Sequence, residues 1–313
     1  EMAAEALAGL ASDNESNQKD IAEILIKLLR ESSPTGVERE KAARAVSRFA
    51  FCDGDGDGEA DAVEANQQAL FDVGGVELVV SLIEPLHYEE PPLPTADQVR
   101  GKLGAAAEDS EEEEEVVEEE VDPNKGEHHL IHKWLANALW SMSVKNRVTQ
   151  IAIAEAGGIS LLIKLLDDHP EIHRDAAGAL WSLASDAGNQ KLIADEGGIP
   201  QLVELLKTGK KNLAQETAAG ALHSLSGRLE NRQIISEANG ISLLVPLFEG
   251  GTDMAKAEVT GALLTLVIDN PANQMAIATK LVATIVNGPE AYEATNVAAM
   301  ARVEAQEHAT NVI

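Results

Sequence analysis

The sequence repeats itself, and the repeat decides what it can fold into. NQKLIADEGGIPQLVELL (189–206) is echoed by NRQIISEANGISLLVPLF (231–248). Upstream, VTQIAIAEAGGISLLIKLL (148–166) and NQQALFDVGGVELVVSLI (66–83) read alike, and degraded copies begin at Asn17 and Asn273. A second motif follows each: WLANALWSMSV (134–144), DAAGALWSLAS (175–185), ETAAGALHSLS (216–226) and EVTGALLTLVI (258–268). Gly157 and Gly197 are 40 residues apart, and Asn189, Asn231 and Asn273 are spaced by 42. Periods of about 40–47 residues mark helical solenoids, in which no unit buries its own apolar face and the units must stack.

Each unit reads as three helices. A short first helix ends at a Gly pair, where glycine accepts the left-handed conformation that closes a helix. The second begins almost at once, with Pro200 near a first turn that needs no N–H there. Leu202, Val203, Leu205 and Leu206 are its expected core. In the third, Ala176, Ala179, Leu180 and Leu183 form an apolar stripe at helical spacing. Aromatics make up only 3% of the chain, which suits closely packed helices.

NQKLIADEGGIPQLVELL followed by ETAAGALHSLS resembles the three-helix unit of the armadillo repeat family. The resemblance covers roughly residues 1–85 and 127–313 as five to six repeats, the terminal ones partial, in a single array spanning 1–313. It implies an all-α fold, a right-handed α-α superhelix, and a non-catalytic scaffold that binds a protein segment in the concave groove along the third helices. The stripe opposite the buried one, Asp175, Gly178, Trp181, Ser182 and Ser185, is expected to line that groove. Equivalent positions predict an aromatic column (Trp140, Trp181, His223, Leu264) and a hydroxyl column (Ser141, Ser182, Ser224, Thr265). An acidic column of Asp175, Glu216, Glu258 and Glu293 completes the expected groove. Trp faces hold apolar groups or cations, and carboxylates attract Lys and Arg. The alternative is that the Trp residues pack between repeats and the acids only complement helix dipoles.

Two departures bear on the expected activity. Many family grooves carry Asn at the hydroxyl column, and an amide both donates to and accepts from a peptide backbone where a hydroxyl reaches less far. Nuclear-import members also carry Trp where this chain has Asn137, Gly178, Gly220 and Gly261, so a nuclear-import-type adaptor is disfavoured.

Charge narrows the partner. The formal net charge is −29, and Glu108–Asp122 alone carries eleven carboxylates. Such a chain repels phosphates and anionic lipid, so nucleic acid is not an expected partner and a basic protein or peptide is. The 313 residues contain no Gly-x-Ser-x-Gly elbow, phosphate-cradling Gly-Lys loop, His-Glu-x-x-His or Cys-x-x-Cys, so neither an enzyme nor a small-molecule substrate is expected. No apolar run reaches the ~18 residues of a membrane span. Cys52 is the one cysteine, so nothing argues for secretion, and cytoplasm and nucleus stay equally open. The opening EMAAEALAGL reads as the inside of a helix, as in a fragment.

Two inserts interrupt the array. The Asp/Gly-rich loop 52–65 places Asp53, Asp55, Asp57, Glu59, Asp61 and Glu64 in the register of a calcium-binding helix-loop-helix. It reads either as a calcium site that stiffens the joint between the first repeats, in a calcium-responsive scaffold, or as a solvated spacer needing no cofactor. The second insert, about 84–126, is Pro-rich then acidic and is expected to be disordered. After it, His128 and His132 lie four apart, a spacing that lets two imidazoles share a metal or simply starts a helix.

Overall fold

The computed structural model describes residues 14–34, 36–51, 60–83, 128–207 and 213–283. No β-strand occurs among them. The first repeat is represented by α1 (Glu15–Glu31) and α2 (Val37–Ala50). The second comprises α3 (Ala60–Asp72), α4 (Gly75–Ile83) and α5 (His128–Ser143). The third is α6 (Arg147–Glu155), α7 (Gly158–Leu165) and α8 (Pro170–Leu183). The fourth is α9 (Ala187–Asp195), α10 (Gly198–Leu205) and α11 (Leu213–Ser226). The fifth is α12 (Leu229–Glu237), α13 (Gly240–Gly250) and α14 (Asp253–Leu266), and α15 (271–283) opens a sixth.

Each Gly pair does two separate jobs. The first member takes the left-handed conformation, with φ of 81° at Gly157 and 79° at Gly197. Asn239 takes that role in the fifth repeat at φ 64°, since Asn tolerates this region better than most residues. The second member is needed for close approach. A Cβ on Gly158 would lie 2.6 Å from Ile153 Cγ2, and one on Gly198 2.8 Å from Ile193 Cγ2. The first and second helices therefore meet at a sharp bend, 83° between α6 and α7.

The third helices form one continuous layer, α2 on α5, α5 on α8, α8 on α11 and α11 on α14. The stripe Ala176, Ala179, Leu180 and Leu183 is fully buried, as its spacing predicts, and so are Leu202 and Val203 of α10. Polar clamps hold the ends of these helices. The last carbonyls of a helix have no partner inside it, and side chains of the first helices supply one. Gln67 Nε2 donates to Ser141 O (2.8 Å), Gln190 Nε2 to Ala184 O (3.0 Å) and Ser224 O (3.1 Å), and Asn231 Nδ2 to Leu225 O (3.1 Å). Asn273 repeats the device on Leu266 O at 2.9 Å. The recurring Asn-Gln of the sequence is this clamp.

Within the layer, ring size on one helix matches glycine on the next. Trp140 lies on Gly178, Trp181 on Gly220 and His223 on Gly261. A Cβ would come within 2.6 Å of the Trp140 ring at Gly178 and within 2.5 Å of the Trp181 ring at Gly220. Where the ring is missing, the glycine is too: Ser47 occupies the aromatic position of α2, and its hydroxyl meets Asn137 of α5. A double-mutant cycle tests this matching. Gly220→Ala is expected to destabilise the fold by about 1–3 kcal/mol through overpacking. In a Trp181→Ala background the same change should stabilise by about 0.5–1 kcal/mol, the helix propensity gain of Ala over Gly. Denaturant unfolding of the four proteins reads the sign reversal.

Candidate functional site

The exposed face of the third-helix layer is the surface on which the sequence places a groove. The ring-on-glycine contacts fix its register, and this register corrects one expectation. Glu216 stands four residues before Gly220, whereas Asp175 and Glu258 stand three before Gly178 and Gly261. Glu216 therefore belongs in one column with Lys133 and Arg174, four before Asn137 and Gly178, and the expected acidic column does not exist as a single row.

Asp175 is not a groove residue. It is 2% exposed, and Asn137 Nδ2 donates to its Oδ1 at 2.5 Å. Asn137 also meets the Ser47 hydroxyl, so a partly buried polar chain links α2, α5 and α8. Burial pushes the Asp175 carboxyl above its ordinary value, against the Asn137 hydrogen bond and the nearby charges of Arg174 and Lys133. The other acids stay half-exposed: Glu216 accepts from Thr252 Oγ1 at 2.5 Å, and Glu258 Oε2 lies 2.8 Å from His223 Nδ1. Glu293 lies outside the described residues.

The hydroxyl column is largely turned inward. Ser141 is 8% exposed and 3.2 Å from Ser47 Oγ. Ser182 Oγ is buried without a hydrogen-bond partner. Thr265 Oγ1 donates back to its own helix at Ala262 O (2.8 Å) and contacts Ser226 Oγ. Ser224 is half-exposed. Of the aromatic column, Trp140, Trp181 and His223 are half-buried, and Leu264 is 63% exposed.

The sequence reading missed the cations. Arg44 stacks over Trp134 with its guanidinium 4.9 Å from the ring centre, and Arg174 sits 5.6 Å from that of Trp140. Lys133 is 5.9 Å from the Trp134 ring and 3.8 Å from Glu171. The α2–α8 end of the face is thus basic, and the α11–α14 end carries Glu216 and Glu258. A chain with so many acids hid this local excess, which appears only when equivalent positions are set side by side.

The metal candidates fall as follows. Asp53, Asp55, Asp57 and Glu59 of the calcium-type loop lie outside the described residues, as does insert 84–126. Asp61 and Glu64 fall in α3, and Glu64 is exposed. His132 is 7% exposed, with Nδ1 3.4 Å from Asp168 Oδ2. Among the described residues no single helix is long and apolar enough to cross a membrane.

Residues 146–185 and 186–227 each match the armadillo/beta-catenin-like repeat, covering the third and fourth repeats defined above. Residues 146–227 are thus armadillo repeats, and the fold is an armadillo-type solenoid. An engineered protein shares the fold at 26% identity and a TM-score of 0.59, covering 85% of this chain and 89% of its own. A designed armadillo repeat protein in complex with the peptide (KR)4 superposes with a TM-score of 0.58 at 20% identity, covering 85% of this chain and 92% of its own. Among curated proteins, splicing regulator ARVCF of Rattus norvegicus and of Homo sapiens are each 39% identical over 102 residues. That stretch is 31% of this chain and 10% of either relative.

The buried carboxyl of the armadillo layer gives a pH signature. Because its folded value is raised, the ionised form costs stability, and the cost appears as pH rises from the ordinary carboxylate range through the raised value. Asp175→Asn keeps the oxygen that accepts from Asn137 and never ionises. The variant should melt above wild type at pH 7, and the gap should close as pH falls to about 4, near the unperturbed aspartate value. Thermal melts across pH 4–7 measure it.

Proposed function

We propose that this solenoid is a non-catalytic scaffold that holds a segment of another protein along the exposed face of its third helices. The observation that carries this is the continuous layer from α2 to α14, whose outer face carries half-buried rings and unburied charges in register. The structural likeness to a designed armadillo repeat protein solved with (KR)4 fits the reading.

The partner we favour is basic. The net charge of −29 draws cationic chains from a distance. At close range Glu216 and Glu258 offer carboxylates at the α11–α14 end, beside the exposed Leu264. The rings of Trp140, Trp181 and His223 cover Gly178, Gly220 and Gly261, where nuclear-import members carry Trp. No Trp fits beneath them, which argues against an import-adaptor role. With the hydroxyls of Ser141, Ser182 and Thr265 turned inward, recognition rests on side-chain charge and ring contact more than on gripping a backbone.

The test uses the full chain and a fluorescent (KR)4 peptide. Ser224→Arg/Leu264→Arg places two cations on the acidic end and leaves Glu108–Asp122 untouched, so a change isolates the groove. Anisotropy titration should show affinity reduced about tenfold, with the wild-type affinity falling as salt screens the contact. Equal binding by both proteins, with unchanged melting temperatures, overturns the groove as the site.

A further inference from the structure

The edge of the layer beside the start of α5 and α8 gathers histidine. His129 is in the first turn of α5. His169 caps α8, and Glu171 follows in its first turn. The two imidazole rings stack with centroids 4.1 Å apart and planes at 28°. One ligand atom from each of His129, His169 and Glu171 lies within 4.8 Å of the others. Two donors on one zinc ion, each at about 2.0–2.1 Å, are separated by at most about 4 Å. Ligation also requires the stack to open, because imidazole lone pairs lie in the ring plane; exposed His169 and Glu171 can turn their donor atoms toward half-buried His129 to do so.

We propose that His129, His169 and Glu171 bind a divalent transition-metal cation of the zinc class, joining the second repeat to the third. The donor set selects the metal: two imidazoles and one carboxylate suit zinc with water in the remaining position, whereas calcium and magnesium take oxygen ligands. The surroundings both help and oppose. Asp168 adds negative charge next to the site, its Oδ1 accepting from His169 N at 2.8 Å while its Oδ2 faces His132 Nδ1 at 3.4 Å. Its carbonyl oxygen lies 3.0 Å from His173 Nε2. Lys133, 3.8 Å from Glu171, opposes a cation and must release the carboxylate when the metal arrives. His169 Nδ1 accepts from Glu171 N at 3.3 Å, a long bond that is lost if the metal takes Nε2 and the ring proton moves to Nδ1. Open to solvent and opposed by Lys133, the site binds in the micromolar range rather than as a structural zinc centre.

The experiment is calorimetric titration of the full chain with zinc chloride, alongside melting temperature with and without zinc. Carboxylates elsewhere, including Glu108–Asp122, bind weakly in every variant and cancel in the comparison. Wild type should show one micromolar event and a raised melting temperature. His129→Ala and His169→Ala should each weaken that event at least tenfold and abolish the thermal shift, and Glu171→Gln should weaken it several-fold. Melting temperatures in chelator should match wild type within a few degrees, which separates lost ligation from lost folding. A micromolar event retained in His129→Ala and His169→Ala, or only millimolar binding in wild type, overturns the site.

Discussion

The structure depends on how closely neighbouring third helices approach. A Trp or His ring on one helix lies flat on a glycine of the next, and no side chain fits between them. Glycine inside a helix costs about 1 kcal/mol relative to alanine, yet Gly178, Gly220 and Gly261 all sit mid-helix. Ring contact across the repeat boundary offsets that cost. At the α2–α5 boundary the exchange is reversed: Ser47 leaves room, Asn137 fills it, and partly buried hydrogen bonds through Asn137 to Asp175 replace ring packing.

This contact sets the register of every residue on the outer face. Once Trp140 is seated on Gly178, Lys133 and Arg174 align with Glu216, and Asp175 is carried underneath. The face becomes polar along its length, basic toward α2 and acidic toward α14. The Asn and Gln clamps at the other end of α5, α8, α11 and α14 close the layer by satisfying terminal carbonyls that have no partner inside their helix. In the proposed scaffold role, a platform held at both ends presents a partner segment with preset charges and ring edges. Low ordering cost on the scaffold side favours affinity from few contacts.

Much of the fold was legible in the sequence because its signals are local. The 40–42-residue spacing, the Gly pairs at 157–158 and 197–198, and the stripe from Ala176 to Leu183 each follow from helix geometry and glycine conformation within one unit. The site was legible only in outline. Trp140 and Trp181 are half-buried and pack on Gly178 and Gly220 of the following repeats, the alternative that the sequence leaves open beside a groove role; Glu216 stands one residue off Asp175 in helix position, a difference that motif similarity alone does not expose. His132 at four-residue spacing drew attention from His129, whose partner His169 comes from the following repeat. The Arg44–Trp134 pair likewise joins two repeats across an insert.

The sequence by itself determined the helix triplets and their apolar faces, since hydrophobic periodicity and glycine placement act over a few turns. Only the tertiary structure decided which side of each third helix remains outside, which carboxylate is buried, and which cations and imidazoles come together. Those outcomes depend on contacts between helices some forty residues apart, where a one-residue shift turns a side chain by about 100° around the helix axis.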